Sequence, residues 1–151
     1  MRSGSFTYAL QARCSLTLAR DLLSDIGRQG ELHPLIIEVR ELAPVAGALR
    51  SYAITDRLVF GPLRFRITYH ADQVSVSDHE IITVARQRPR TTVRNTVRLT
   101  EKDGVVDVAV TIALTAPSLL FPIALRTGRT AHLELAQRIT ALLESDLRGG
   151  P

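Results

Sequence analysis

The apolar residues of this chain follow one spacing near its C-terminal end and another in its middle. From Leu125 onward they recur every three to four positions, which is the period of one face of a helix. The members of this stripe are Leu125, Gly128, Ala131, Leu135, Ile139, Leu142 and Leu143. Between Leu35 and Leu114 apolar residues instead alternate with polar ones, as in strands that bury one face. Because neither apolar face is stable in water, the helix should pack on the sheet.

The full pattern predicts one strand, two short helices, six further strands and one long helix. The first strand covers residues 6–14, Ser15 caps the helix after it, and Pro34 ends the second helical piece. The later strands, separated by turn residues, cover residues 35–42, 50–60, 63–74, 80–88, 91–100 and 105–114. The long helix covers roughly residues 119–147. Consecutive hairpins predict an α+β fold: a seven-stranded, curled antiparallel sheet, two short helices after strand 1, and the long C-terminal helix across the sheet.

Alternation also predicts which strand residues face the helix. In the second strand these are Leu35, Ile37 and Val39, and in the fourth they run at alternate positions from Phe65 to Ala71. Such residues would form the wall of the sheet that the long helix covers.

Size and composition match one globular domain spanning residues 1–151. The chain has a mass of 16.6 kDa, and 45% of its residues are hydrophobic and 23% charged, as in ordinary folded domains. No apolar run approaches the roughly 20 residues of a membrane-spanning helix. The N-terminus lacks the continuous apolar core of a signal peptide because Gln11 and Arg13 interrupt it. With one cysteine, Cys14, expected in the core, the predicted location is cytoplasmic.

The order of the elements, together with several local motifs, resembles the START-like (SRPBCC) superfamily. The motifs are HPLIIEVREL, LRSYAITDRL, GPLRFRITYHADQV and the Lys-Asp-Gly hairpin before the last strand. The resemblance covers essentially the whole chain and points most to small bacterial members from high-GC actinomycetes. The superfamily includes polyketide cyclases/dehydrases and lipid-transfer START domains, and its members have the helix-grip fold without a shared catalytic signature. The resemblance therefore implies a sheet curled around the long helix, with a cavity for an apolar ligand.

Few polar side chains lie on the predicted inner faces, and these are candidates for contact with a ligand. The set consists of Tyr8, Tyr52, Asp56, Tyr69, Thr83 and Asn95 on strands and His132 on the long helix. A mainly apolar cavity with a few placed polar groups is the usual form of a small-molecule site. The same set also suits an ordinary core whose polar groups bond to one another.

Asn95 and His132 are the most distinctive members of this set. Asn95 interrupts an apolar inward series, and because an unpaired buried amide costs roughly 1–3 kcal/mol, it should bond either a ligand or a neighbouring protein group. His132 borders the helix stripe and could transfer protons near neutral pH, or it could be a partly buried structural histidine. Asp56 with Tyr52 could orient an enol or ketone, or Asp56 could be solvated or paired with Arg57.

Motifs for metal, nucleotide or nucleophilic chemistry do not occur in the sequence. It has no Gly-x-Ser-x-Gly elbow, no phosphate-binding glycine-rich loop and no dinucleotide fingerprint. His33, His70 and His79 lack metal-ligand spacing to His132, and there is no cluster of cysteine and histidine. Neither a metal nor a cofactor is predicted.

Arginines occupy the outward positions of three successive strands. They are Arg64, Arg66, Arg86, Arg88, Arg94 and Arg98. Antiparallel pairing would gather them into a basic patch, which could be an ordinary solvated face or could dock weakly on an anionic membrane or an acidic carrier protein. A net charge of only +4 and an aromatic content of 5% argue against a nucleic-acid surface.

The leading functional hypothesis is binding of a hydrophobic small molecule, such as a lipid, an isoprenoid or a polyketide-like compound, between the sheet and the C-terminal helix. The alternative is a polyketide cyclase/aromatase- or dehydratase-like enzyme, in which His132, Tyr52, Asp56 and Asn95 would move protons or orient carbonyl groups. The cavity should lie under the N-terminal half of the helix, where Gly128 supplies no bulk. The sequence indicates no particular oligomeric state.

Overall fold

The computed structural model describes residues 1–148, and the side chains of all of these except residues 60 and 146–148. The elements in chain order are β1 (Arg2–Arg13), α1 (Leu16–Ser24), α2 (Ile26–Leu32), β2 (Ile36–Leu42), β3 (Arg50–Phe60), β4 (Leu63–Val76), β5 (Glu80–Gln87), β6 (Thr91–Lys102), β7 (Val105–Ala116) and α3 (Phe121–Arg148). Over these residues, the predicted order of strands and helices is confirmed.

The strands form an antiparallel sheet of seven members. Their spatial order is β1-β7-β6-β5-β4-β3-β2, so β2 to β7 follow one another as hairpins and β1 pairs along β7. Asp103 (φ 54°) and Gly104 (φ 78°) form the turn between β6 and β7, as an Asp-Gly pair predicts because both residues tolerate positive φ. The predicted α+β fold, an antiparallel sheet with a long C-terminal helix, is confirmed.

One strand departs from the predicted alternation. The register of β2 against β3 shifts between Ile36 and Glu38, which is a bulge that re-aims the residue inside it. Ile37 is consequently 43% exposed, while Ile36 and Val39 pack on the inner face of β3. The prediction that Ile37 points inward was wrong, because alternation assumes an unbroken register.

The β3–β4 hairpin extends past the end of the neighbouring strand β5. The pairing of β4 with β5 begins at His70 and Arg86, because β5 ends at Gln87 whereas β4 already starts at Leu63. Phe65, which was predicted to face inward, lies on this stretch and is 40% exposed. The sheet is therefore open between β4 and β5 at this end.

Asp25 joins the two short helices. Its side chain accepts a hydrogen bond from the backbone N–H of Arg28, and its own N–H donates to Leu22 O, so Asp25 both ends α1 and begins α2. Gly30 lies inside α2, where an added Cβ would come within 2.5 Å of Val39 Cγ2. A glycine at this point allows α2 to lie directly against β2.

The long helix begins at Phe121, slightly later than the predicted residue 119. Pro117 O accepts hydrogen bonds from the N–H groups of Leu120 and Phe121, which forms a turn before the helix, and Leu119 in this turn is 92% exposed. Phe121 is buried, and a Cβ added to Gly4 of β1 would lie 2.8 Å from its ring. This close packing fixes the first turn of α3 on β1, the strand on which α3 mainly packs.

The buried apolar side chains form three clusters. The largest joins β1, β5, β6 and β7 to α1 and to the C-terminal half of α3, including Leu135 and Leu143. A second is built around Tyr52 of β3, and a third around Phe121 at the start of α3. The inner surface between these clusters carries the polar residues described next.

Candidate functional site

The middle of α3 meets two aromatic side chains and a second histidine. His132 Nδ1 lies 3.0 Å from the hydroxyl oxygen of Tyr8. The ring centroids of His132 and His33 are 5.5 Å apart, with the rings nearly perpendicular, and Phe6 packs edge-on at 6.1 Å from the ring of His132. We call Phe6, Tyr8, His33 and His132 the histidine cluster. It is assembled by β1, the end of α2 and α3.

Burial keeps the histidine cluster uncharged at neutral pH. It lowers the pKa of His132 to about 4, and burial together with His132 and Arg138 lowers the pKa of His33 to about 4. Burial also raises the pKa of Tyr8, so its hydroxyl keeps its proton. His33 Nδ1 accepts from the backbone N–H of Leu35 at 3.2 Å, which places the proton of His33 on Nε2. The hydroxyl of Tyr8 can likewise donate to Nδ1 of His132, which then carries its own proton on Nε2.

A second polar pair lies on the inner faces of β3 and β4. Tyr69 donates a long hydrogen bond of 3.4 Å to Asp56 Oδ1, and Asp56 is 8% exposed. Burial raises the pKa of Asp56 to about 6, although the hydrogen bond from Tyr69 acts in the opposite direction. Tyr52 instead packs with Ile54 and Ala71. Asp56 is thus a buried carboxyl group paired with Tyr69, and it titrates close to neutral pH.

Thr83 of β5 and Asn95 of β6 are cross-strand neighbours. Asn95 has the same inward parity as Val97, which is 7% exposed, and it pairs with Ile112 of β7 on its other side. Its Oδ1 is buried and has no hydrogen-bond partner among the described residues. A buried amide oxygen without a partner is costly, because it has lost its hydrogen bonds to water without gaining another.

Gly128 lies on the sheet-facing side of α3 without filling the space beneath it. It is two turns from Phe121 and two turns from Leu135, both 3% exposed, so all three positions share one helix face. A Cβ built on Gly128 meets no atom within 4 Å. His132 lies one turn farther along this face. The side of α3 that faces the sheet therefore has unfilled space at Gly128, one turn before the contact of His132 with Tyr8.

The opening between β4 and β5 forms a cleft of about 460 Å³. Its lining combines inner-face residues, such as Tyr69 and Gln87, with outer-face residues, such as His70 and Arg86. The cleft therefore lies where β4 extends past the end of β5, beside Tyr69.

The arginine patch on the outer face is exposed. Its members are Arg64, Arg66, Arg86, Arg88, Arg94 and Arg98. Two of them are balanced by carboxylates: Arg86 Nη1 lies 3.1 Å from Asp72 Oδ2, and Arg98 Nε lies 3.4 Å from Glu80 Oε2. The patch is therefore less positive than its sequence indicates, and its contact with an anionic membrane or an acidic carrier protein stays a prediction.

The structure brings the polar residues together in separate sets rather than in one. These sets are His132 with Tyr8 and His33, Asp56 with Tyr69, and Asn95 with Thr83. Sequence reasoning missed His33 as a site residue. Its approach to His132 depends on the contact between α2 and α3, and no local spacing encodes a contact between such distant segments.

Two kinds of feature are absent from residues 1–148. No helix there is both long enough and apolar enough to cross a membrane. No group of three or more histidine, cysteine, aspartate or glutamate side chains in this part of the chain could hold a metal ion.

Comparisons with known proteins are informative at the level of structure. No protein-family model matches the sequence, and no curated protein matches it. Among solved structures, the di-domain aromatase/cyclase StfQ from the steffimycin biosynthetic pathway matches over 97% of this chain and 52% of its own, with 13% identity and a TM-score of 0.76. The Zhui aromatase/cyclase from Streptomyces sp. R1128 matches over 98% of both chains, with 10% identity and a TM-score of 0.71.

A START superfamily protein from Mycobacterium smegmatis matches over 93% of this chain and 97% of its own, with 12% identity and a TM-score of 0.67. The chain thus spans about half the length of the di-domain protein and nearly the full length of the other two. At these identities the likeness concerns the fold. The chain therefore has the START-like helix-grip fold that its motifs imply, the fold of these aromatase/cyclases and of the START protein.

Proposed function

We propose that the protein binds a hydrophobic small molecule, such as a lipid, an isoprenoid or a polyketide-like compound, between the inner face of the sheet and α3. The observation that carries the proposal is the open space at Gly128, where a Cβ would meet no atom within 4 Å although the residue faces the sheet. Protein interiors are otherwise closely packed, so an unfilled region under a core helix provides room for a guest.

The surroundings of this region suit a mainly apolar guest. Apolar clusters around Tyr52 and Phe121 lie on the same inner surface, and the polar side chains Asp56, Asn95 and His132 are spaced out among them. The cleft between β4 and β5 opens to solvent beside Tyr69, at the edge of this inner surface. The fold likeness to aromatase/cyclases and to a START protein supports the same use of this surface.

Filling the space under α3 tests the proposal. In Gly128→Leu, an isobutyl side chain would occupy the region where a guest should lie. Binding of the neutral apolar dye N-phenyl-1-naphthylamine, measured by its fluorescence increase, should weaken about tenfold or more, which corresponds to at least about 1.4 kcal/mol. Because leucine forms helices better than glycine, the free energy of unfolding should rise by roughly 1 kcal/mol. Loss of binding would then not reflect loss of folding.

Thr130→Leu is the matched control, since Thr130 is exposed two residues farther along α3. It places the same side chain on the outside of the helix and should leave dye binding unchanged. If Gly128→Leu is folded and binds the dye as well as the unmodified protein does, the proposed location is wrong. Native mass spectrometry of the freshly purified protein would give, in addition, the mass of any small molecule that stays bound.

A second candidate function is a cyclase- or dehydratase-like reaction in the same space. The observation that favours it is Asp56, because a buried carboxyl group with a pKa of about 6 can exchange protons near neutral pH. Turnover of a poly-β-ketone substrate that disappears in Asp56→Asn, while the dye still binds, would support this function. Unchanged turnover in that variant would remove Asp56 from it.

A further inference from the structure

The side-chain amide of Asn95 is a polar group of the inner surface that lacks a hydrogen-bond partner among the described residues. The atom concerned is its buried Oδ1. Asp56 and His132 differ in this respect, because Asp56 bonds Tyr69 and His132 bonds Tyr8. A bound molecule that supplies a hydrogen bond at Asn95 would therefore remove a cost that the protein carries when empty.

Cations stay outside the sheet–helix space. Every arginine and lysine side chain that the structure describes is exposed, except Arg20. Arg20 is half-buried and pairs with Asp21 and Asp78 at the outside of α1. A carboxylate or phosphate needs a cation or several donors when it leaves water, and the inner surface instead carries the carboxyl group of Asp56. An anionic guest is thus disfavoured there.

We propose that the guest is uncharged and carries an oxygen function, a hydroxyl or a carbonyl, that hydrogen-bonds the side-chain amide of Asn95. In the present orientation of the Asn95 amide, a ligand hydroxyl can donate a hydrogen bond to Oδ1. If the amide is turned by 180°, its N–H group can donate to a ligand carbonyl oxygen. Thr83 is the cross-strand neighbour of Asn95, so a ligand oxygen that bonds Asn95 would also be close to the side chain of Thr83. This inference rests on the proposed binding function, and it adds the charge and the polar group of the ligand.

Three naphthalenes of similar size test the inference: 2-naphthol, 2-methylnaphthalene and 2-naphthoate, each used to displace N-phenyl-1-naphthylamine. The unmodified protein should bind 2-naphthol more tightly than 2-naphthoate. Asn95→Leu should weaken 2-naphthol about tenfold and leave 2-methylnaphthalene within about twofold, because only the first loses a hydrogen bond. Thr96→Val is the control, since Thr96 follows Asn95 but has the opposite, outward parity on β6, and it should change neither affinity.

Thermal unfolding without ligand gives an independent readout. Asn95→Leu removes an unsatisfied buried amide, so its midpoint should rise by roughly 3 °C, whereas an asparagine that bonds within the protein would lower the midpoint when replaced. If Asn95→Leu does not fold, Asn95→Ser and Thr83→Val take its place in the same displacement assay.

The outcomes separate this inference from the proposed function. If the dye binds but Asn95→Leu affects 2-naphthol and 2-methylnaphthalene equally, or if 2-naphthoate binds tightest, the inference is overturned and the binding function stands. If no dye binds the unmodified protein, the binding function fails and this inference fails with it.

Discussion

The two halves of α3 face one sheet but meet different surroundings. In the C-terminal half, Leu135, Ile139 and Leu143 are 3%, 3% and 1% exposed and belong to the largest apolar cluster. In the N-terminal half, beyond its anchored first turn, Gly128 meets open space and His132 is tied to Tyr8. We call these the closed half and the open half of the helix.

This difference matches what the proposed function requires of α3, which must stabilise the fold and also leave room for a ligand. Close packing of the closed half, and of Phe121 against Gly4, holds α3 at both ends. The inner surface of the sheet carries two groups that lower stability at neutral pH: the oxygen of Asn95, which has no hydrogen-bond partner among the described residues, and the desolvated carboxyl group of Asp56. Polar groups of this kind persist when their surroundings hold them in place, and they concentrate at functional sites.

The largest expected effect comes from truncating the closed half. Leu143→Ala removes a fully buried side chain and should lower the free energy of unfolding by about 4 kcal/mol, since the packed surroundings cannot collapse into the space. Leu125→Ala makes the same change in the open half, where Leu125 is only half-buried, and should cost less than half as much. Urea unfolding followed by circular dichroism measures both. Equal losses would mean that the two halves are packed alike.

The next effect is acid sensitivity caused by His132. Its pKa is about 4 in the folded protein and about 6.5 for an unperturbed histidine, so the unfolded chain takes up a proton that the folded protein refuses. The stability contributed by the neutral ring is fully present above pH 6.5 and is lost as the pH falls toward 4. His132→Gln retains an acceptor for Tyr8 without titrating. The stability lost between pH 7 and pH 4.5 should therefore shrink by about 2 kcal/mol.

His79→Gln is the matched control for this measurement, because His79 is exposed and lies outside the histidine cluster. Its acid sensitivity should stay close to that of the unmodified protein. If His132→Gln loses as much stability in acid as the unmodified protein does, water reaches the ring of His132, and the open half is less buried than the structure indicates.

The amino-acid sequence alone predicted part of the candidate site. Alternation placed Asn95 on the inner face and identified it as an unusual residue, because strand parity holds wherever the register is unbroken. It failed at Ile37, where a bulge shifts the register. Phe65 keeps the parity of Tyr69 against β3, but it is 40% exposed because β5 ends at Gln87 and does not cover this part of β4. Alternation could not predict the contact of His132 with His33, because that contact forms only when α2 packs against α3.

The last expected effect concerns the pKa of Asp56 and has the opposite sign. Burial raises the pKa of Asp56 to about 6, above the ordinary aspartate value of about 3.9, so the folded protein holds this proton more tightly than the unfolded chain does. The stability that this provides is present below about pH 4 and is lost as the pH rises through 6. Asp56→Asn retains an acceptor for Tyr69 and stays neutral, so it should raise the free energy of unfolding by about 3 kcal/mol at pH 8 and by far less at pH 4. Asp107→Asn, at an exposed carboxylate of β7, should show no such gain. A gain at pH 8 would mean that the inner face of the sheet retains a charged group at a cost to folding, as expected of a residue that contacts a ligand. No gain would mean that the carboxyl group of Asp56 is in contact with water.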